Sequence, residues 1–196
     1  MIDQVLNNIV TRLNGFIDTT VPDVVLGNLA QMGSGTESIL ESIEDKVVIS
    51  VVNIQQESTL RNSPSNRPIY DDSGGIQGVA RHPALFLNVY VLIGANKSNY
   101  NTALLRISQV LGFFQRNPII TFSEMPILPN LGLERIIFDL HSTDFEELNQ
   151  LWSIMGGKYI PSVVYKMRMA FIDSFEEGAT IPMVKTIDAS FSNKSL

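Results

Sequence analysis

The chain contains no cysteine. That excludes disulfides, thiolate zinc sites and cysteine nucleophiles, and it fits a reducing compartment. Long hydrophobic runs are also missing: nothing approaches the roughly 20 residues needed to cross a bilayer. The longest candidates, residues 47–54 and 84–95, are both interrupted by polar side chains. The amino terminus, Met1-Ile-Asp-Gln-Val-Leu6, lacks the basic start and apolar stretch of a signal peptide. The expectation is a soluble protein, made and folded in the cytoplasm, with no membrane partner. Positive charge is sparse, with 14 Lys and Arg against 20 Asp and Glu and a net charge of −6. The basic residues are scattered, so the basic face of a nucleic-acid binder is absent.

What is present is enough for a core. Hydrophobic residues make up 44% of the 196 positions and charged residues 17%, which suits one well-packed domain rather than disorder. Ile2, Val5, Leu6, Ile9, Val10, Leu13 and Phe16 recur at three- and four-residue spacing and predict an amphipathic helix ending near Gly15. Residues 28–44 are ambiguous, with a loop at Gly33-Ser-Gly35 and a short helical turn around Ile39, Leu40 and Ile43. Val47-Val-Ile-Ser-Val-Val-Asn-Ile54 has the β-branched composition of a strand buried on both faces. Residues 85–93 predict a second such strand. Between them, residues 55–82 are polar and rich in Ser, Asn, Pro and Gly, a connection long enough to be functional, disordered or a protruding hairpin.

Ser98 or Asn99 is placed to cap a second helix bearing Tyr100, Ala103, Leu104, Ile107, Val110, Leu111 and Phe114, which Pro118 stops. Shorter strands are predicted at 119–122 and 135–140. Thr143 with Glu146 has capping-box spacing ahead of a third helix with Phe145, Leu148, Leu151, Trp152 and Met155, closed by Gly156-Gly157. A last strand spans 162–172: Val163, Tyr165, Met167, Met169 and Phe171 on one face, Val164, Lys166, Arg168 and Ala170 on the other. Residues 173–196 read as an arm or tail, with an edge strand possible over 181–187. The fold class is α/β: a single domain over 1–172 with a mixed or antiparallel central sheet flanked by helices.

No catalytic or metal-binding constellation emerges. His141 lies beside Asp139, Ser142 and Asp144, but there is no G-x-S-x-G elbow, and side chains so close in sequence seldom converge as a triad. His82 has no H-x-x-x-H or H-x-H companion, and no calcium-loop pattern occurs. Gly74-Gly75-Ile-Gln-Gly78 lacks the Gly-Lys-Ser/Thr ending of a phosphate loop and reads as flexible-loop glycine. The expectation is therefore no enzyme, no metal and no cofactor. Candidate interface residues are Arg61, Asn62, Asp71, Asp72 and Arg81 around the polar stretch, Glu146 and Glu147, and Lys166 and Arg168, since Arg is favoured where subunits meet and pairs with acidic groups of a neighbour. The bland alternatives are a first-turn charge pair for the two glutamates and a solvated strand face for the two cations.

Several segments, in order and spacing, resemble the cap proteins of extracellular contractile injection systems of the antifeeding-prophage and virulence-cassette type, in their amino-terminal domain. They include Val25-Leu-Gly-Asn-Leu-Ala30, residues 47–54 followed by Leu60-Arg-Asn62, Ile107-Ser-Gln-Val-Leu-Gly-Phe-Phe-Gln115, Leu148-Asn-Gln-Leu-Trp152, and residues 156–168. The resemblance covers most of residues 1–172. It implies a tail terminator, a non-enzymatic homo-hexameric ring that closes the distal end of tube and sheath, ends polymerisation and fixes particle length. It also implies partnership with the sheath and inner-tube proteins, in a particle released outside the cell. Some family members carry sequence beyond this domain; on a chain stopping at Leu196, the function of such an extension is not expected. The alternatives are a sheath-adaptor or baseplate subunit, a small-ligand binding module with the long loop as lid, and an enzyme with a site around His141.

Overall fold

The computed structural model describes residues 1–17, 21–32, 42–57, 66–70, 76–80, 85–171 and 180–181. In chain order these form α1 (Ile2–Ile17), β1 (Val24–Leu26), β2 (Lys46–Gln56), β3 (Asn66–Tyr70), β4 (Ile76–Ala80), β5 (Leu85–Asn96), α2 (Tyr100–Arg116), β6 (Ile119–Thr121), β7 (Leu133–His141), α3 (Phe145–Ile154), β8 (Ser162–Phe171) and β9 (Thr180–Ile181). The six-stranded sheet has the order β1-β2-β5-β8-β7-β6. It is mixed: β1 runs parallel to β2, and every other pairing in it is antiparallel. Strands β3, β4 and β9 form a second, three-stranded sheet.

Two helices cover one face of the large sheet. The α1 stripe Val5, Leu6, Ile9 and Leu13 is buried there with Ala103, Val110, Phe113 and Phe114 of α2, against Val47, Ile49, Val89, Val91, Met167 and Met169. Period-3.6 stripes meet period-2 strands, which is how both elements hide their apolar side together. The other face is covered more thinly. There Val48, Leu92 and Val164 pack with Leu29, Ile43 and the single tryptophan, Trp152, of the ten-residue α3.

A buried charge cluster fastens the parallel edge. Asn14 of α1 accepts hydrogen bonds from the backbone N–H groups of Asp23 and Val24 (2.8 and 2.9 Å) and donates to the Val24 carbonyl (2.9 Å). Asp23 itself is paired with Lys97 and with Arg106. Lys97 also donates to the Asp45 carbonyl, and Asp45 accepts from Ser98 N (3.2 Å). Asp45 sits in the left-handed region, with φ 53°. The Ser98 backbone donor first, then the Lys97 charge, hold its carboxyl below the ordinary range.

Several expectations are refined. Gly15 does not end α1, which runs on to Ile17. The α2 cap is Asn99, whose side chain accepts from Thr102 N. The capping box of α3 is Asp144 with Glu147, one residue later than Thr143 with Glu146. Burial of the 47–54 segment on both faces holds only to Ser50, since from Val51 onward the strand is largely exposed. A register irregularity between Val51 and Asn53 marks the change, and beyond it consecutive side chains on both faces of the strand are exposed. The polar connection is not all loop: Gln55 and Gln56 belong to β2, and β3 and β4 form an antiparallel pair within it. Of the expected 181–187 edge strand, Ile181 pairs with β4 together with the preceding Thr180, and residues 182–187 lie outside the described residues.

Candidate functional site

The thinly covered sheet face carries the charges singled out in the sequence. Alternation along β8 puts Val164, Lys166 and Arg168 on that face, because neighbouring strand side chains point to opposite sides. Val164 is buried under Trp152, while Lys166 and Arg168 continue past the end of α3's cover. Antiparallel registry sets Asn88 and Tyr90 of β5 opposite Arg168 and Lys166, and Asp139 of β7 opposite Lys166. The result is a polar ladder across three strands. Arg168 bonds the Asp139 carboxylate at 2.8 Å, both side chains being about half exposed (46% and 47%). Lys166 Nζ lies 3.8 Å from Glu57, which also accepts from Asn88 Nδ2 at 2.8 Å. Asn88 Oδ1 is buried without a donor among the described residues, and an orphaned acceptor of this kind costs about 1–3 kcal/mol unless it is satisfied.

Between this ladder and α3 lies a shallow basin of about 390 Å³, bordered by Asn53, Gln55, Tyr90, His141 and Glu147. His141 stacks edge-on against Tyr90, with ring centroids 5.2 Å apart. Asp139 and His141 share one face of β7, two residues apart, but the Asp139 carboxylate is drawn to Arg168 and not to His141. Ser142 is exposed. No hydrogen bond joins His141 to a hydroxyl or carboxylate among the described residues, so the Ser-His-Asp grouping is not brought together. Glu147 accepts from Asp144 N at 3.4 Å and donates its own backbone N–H to Asp144 at 2.8 Å. Its carboxylate thus closes the helix start, as the bland reading of this pair holds. Glu146 accepts from Gln150 at 3.4 Å one turn on and is otherwise exposed. Among the described residues no group of three or more acidic or histidine side chains is placed to hold a metal. No helix among them is long and apolar enough to cross a membrane. Arg61, Asn62, Asp71, Asp72, Arg81 and His82 lie outside the described residues.

The ladder therefore joins Lys166 and Arg168 to Glu57, Asn88 and Asp139, three partners that sequence spacing does not reveal. Each is contributed by a different stretch of chain, and only registry brings them together.

A family model for the Pvc16 N-terminal domain matches residues 3–186. The chain belongs to the Pvc16 N-terminal domain family. Two solved structures share the fold of this Pvc16 N-terminal domain. One is the PVC sheath/tube terminator of an extracellular contractile injection system in its extended state, 16% identical, with a TM-score of 0.59 over 100% of this chain and 65% of that one. The other is the anti-feeding prophage cap, a tube terminating cap, 15% identical, with a TM-score of 0.62 over 97% of this chain and 61% of that one. The chain thus spans somewhat under two thirds of the length of both. No curated protein sequence is found to match it.

Proposed function

We propose that this chain is a structural cap: a tail terminator that closes the distal end of the tube and sheath of a contractile injection system, ends their polymerisation and fixes particle length. Membership of the Pvc16 N-terminal domain family over residues 3–186 carries this reading. The cap is a homo-hexameric ring matched to tube and sheath, assembled in the cytoplasm and carried on a particle that is released. It performs no catalysis and takes no cofactor, nucleic acid or membrane as partner.

The physical design supports such a role. A ring subunit needs a rigid body, and two helices packed on a six-stranded sheet supply one. It also needs polar groups at the contact that add specificity without demanding a permanent, all-apolar face. The Arg168–Asp139 and Lys166–Glu57 pairs answer that need: both are partly exposed and able to exchange partners with a neighbour. Arg61, Asn62, Asp71, Asp72, Arg81, Glu146 and Glu147 are the further contact residues we assign to ring, sheath or tube.

The test is deletion of the gene from its particle cluster, followed by electron microscopy. Sheaths and tubes of uncontrolled length, restored to uniform length by the intact gene, are expected. Uniform particles with ordinary ends after deletion would sink the capping reading. Labelled protein binding at the baseplate end instead would favour a baseplate or sheath-adaptor subunit.

A further inference from the structure

The two sides of the large sheet are fastened differently. Helices α1 and α2 are tied to the body by polar contacts as well as by packing. Asn14 of α1 bonds the backbone at Asp23 and Val24, Arg12 donates to the Glu124 carbonyl at 2.6 Å, and Arg106 of α2 pairs with Asp23. Helix α3 has no such tie. Among the described residues every hydrogen bond it makes stays within residues 144–157, and no ion pair joins it to the sheet. What holds it is apolar: Trp152, 5% exposed, with Leu148, Leu151 and Met155 only partly covered. The Trp152 indole N–H is buried without an acceptor among the described residues, a deficit that contact with water removes.

Both ends of α3 are closed by its own segment. Asp144 and Glu147 make the capping box at the start. At the finish Gly156 N–H bonds the Ser153 carbonyl (3.4 Å) and Gly157 N–H bonds the Trp152 carbonyl (2.7 Å), a Schellman arrangement with both glycines in the left-handed region at φ 94° and 78°. Lifting α3 from the sheet therefore breaks no hydrogen bond to the described body. Its two attachment points also lie side by side. His141, the last residue of β7, faces Val164 of β8 across the antiparallel pair, and the returning chain is pinned where Pro161 accepts from Ala95 N at 2.9 Å. Residues 142–159 thus leave and rejoin the sheet at one end of two adjacent strands, so they can swing away without disturbing strand register.

We propose that residues 142–159 form a lid, with α3 as its plate, which opens as a unit while the large sheet and the α1–α2 layer stay folded. Opening uncovers Val48, Leu92 and Val164, an apolar strip at the head of the Lys166–Arg168 ladder that is presented only in the open form. The basin bordered by Tyr90, His141 and Glu147 is the gap that the closed lid leaves on its ladder side. An element with one buried side chain and no polar anchor opens far more often than the core beneath it. Off the sheet a ten-residue helix is too short to persist in water, so its amide hydrogens lose protection when the lid opens. The lid belongs to the free chain and does not depend on the capping role.

The absence of cysteine makes the test direct. Leu92→Cys and Val91→Cys are introduced one at a time into the full chain. Both positions are buried (0% and 2% exposed) and adjacent on β5, but Leu92 lies under α3 and Val91 under α1 and α2. Under native conditions the Leu92→Cys thiol should react with iodoacetamide at least about ten-fold faster than the Val91→Cys thiol, at a rate that low urea leaves nearly unchanged, because the lid exposes little surface. The Val91→Cys thiol should react only through global unfolding, accelerating steeply with urea. If Leu92→Cys does not fold, Val164→Cys replaces it, with Met167→Cys on the other face as its control. In the unaltered chain, hydrogen exchange should be at least about ten-fold faster at the α3 amides than at those of Val89–Ile93. Equal, urea-driven labelling of the two thiols overturns the lid. So does fast exchange in α3 with a Leu92→Cys thiol as slow as the Val91→Cys thiol, since the helix then frays in place and the strip stays covered.

Discussion

The Arg106 guanidinium lies 2.6 Å from the Asp23 carboxylate, and Lys97 closes on the same carboxylate from another side. The three side chains are 83–94% buried (6–17% exposed), so Asp23 is the counter-charge that makes two buried cations tolerable. Removing one partner of a buried pair leaves an uncompensated charge and costs about 3–5 kcal/mol. Asp23→Ala should lower the stability measured by urea unfolding by about that amount. A loss under about 1 kcal/mol would mean that water reaches the cluster.

Trp152 is the anchor of α3, buried with Leu29, Val48, Leu92 and Val164. Its ring also packs edge-on against Tyr159, with centroids 5.6 Å apart. Trp152→Ala should cost about 3–5 kcal/mol, typical of a large aromatic truncation. Hydrogen exchange should show the loss concentrated in the α3 amides, with β5 and β8 still protected beneath α1 and α2. Uniform loss of protection across the sheet would show that α3 is integral to a single cooperative unit.

Burial raises the Tyr165 phenol above its ordinary value of 10.0. The unfolded phenol ionises first as pH rises, so its contribution to stability is complete below about pH 10 and declines as pH climbs toward the folded value. Ultraviolet titration should show one tyrosine ionising after the others, and Tyr165→Phe should remove that late step and flatten the alkaline loss of stability. A late step that persists in Tyr165→Phe would assign it elsewhere.

The Arg168–Asp139 pair is about half exposed on both sides, a setting in which ion pairs contribute only about 0–1 kcal/mol. Arg168→Ala should therefore leave the unfolding midpoint nearly unchanged. If this ladder is a subunit contact, the same variant should reduce occupancy of particle ends in electron micrographs. Full occupancy would remove Arg168 from the interface.

Local pattern made much of this protein legible from its residues. The three- and four-residue spacing from Ile2 to Phe16 marks α1, and Asn99 followed by Tyr100, Ala103, Leu104 and Ile107 marks α2. The alternation of Val163, Tyr165, Met167 and Met169 with Val164, Lys166 and Arg168 gives the two faces of β8. These signals are legible because side-chain direction repeats with the backbone, so neighbours in sequence suffice. Tertiary structure alone decided the rest. The parallel pairing of β1 with β2, the joining of Asp23 to Lys97 and Arg106 across more than seventy residues, and the Glu57–Lys166 and Asp139–Arg168 partnerships all depend on strand order and register. Register is a non-local property: a strand's own sequence says which residues share a face, but only the neighbouring strand says which charges will meet there.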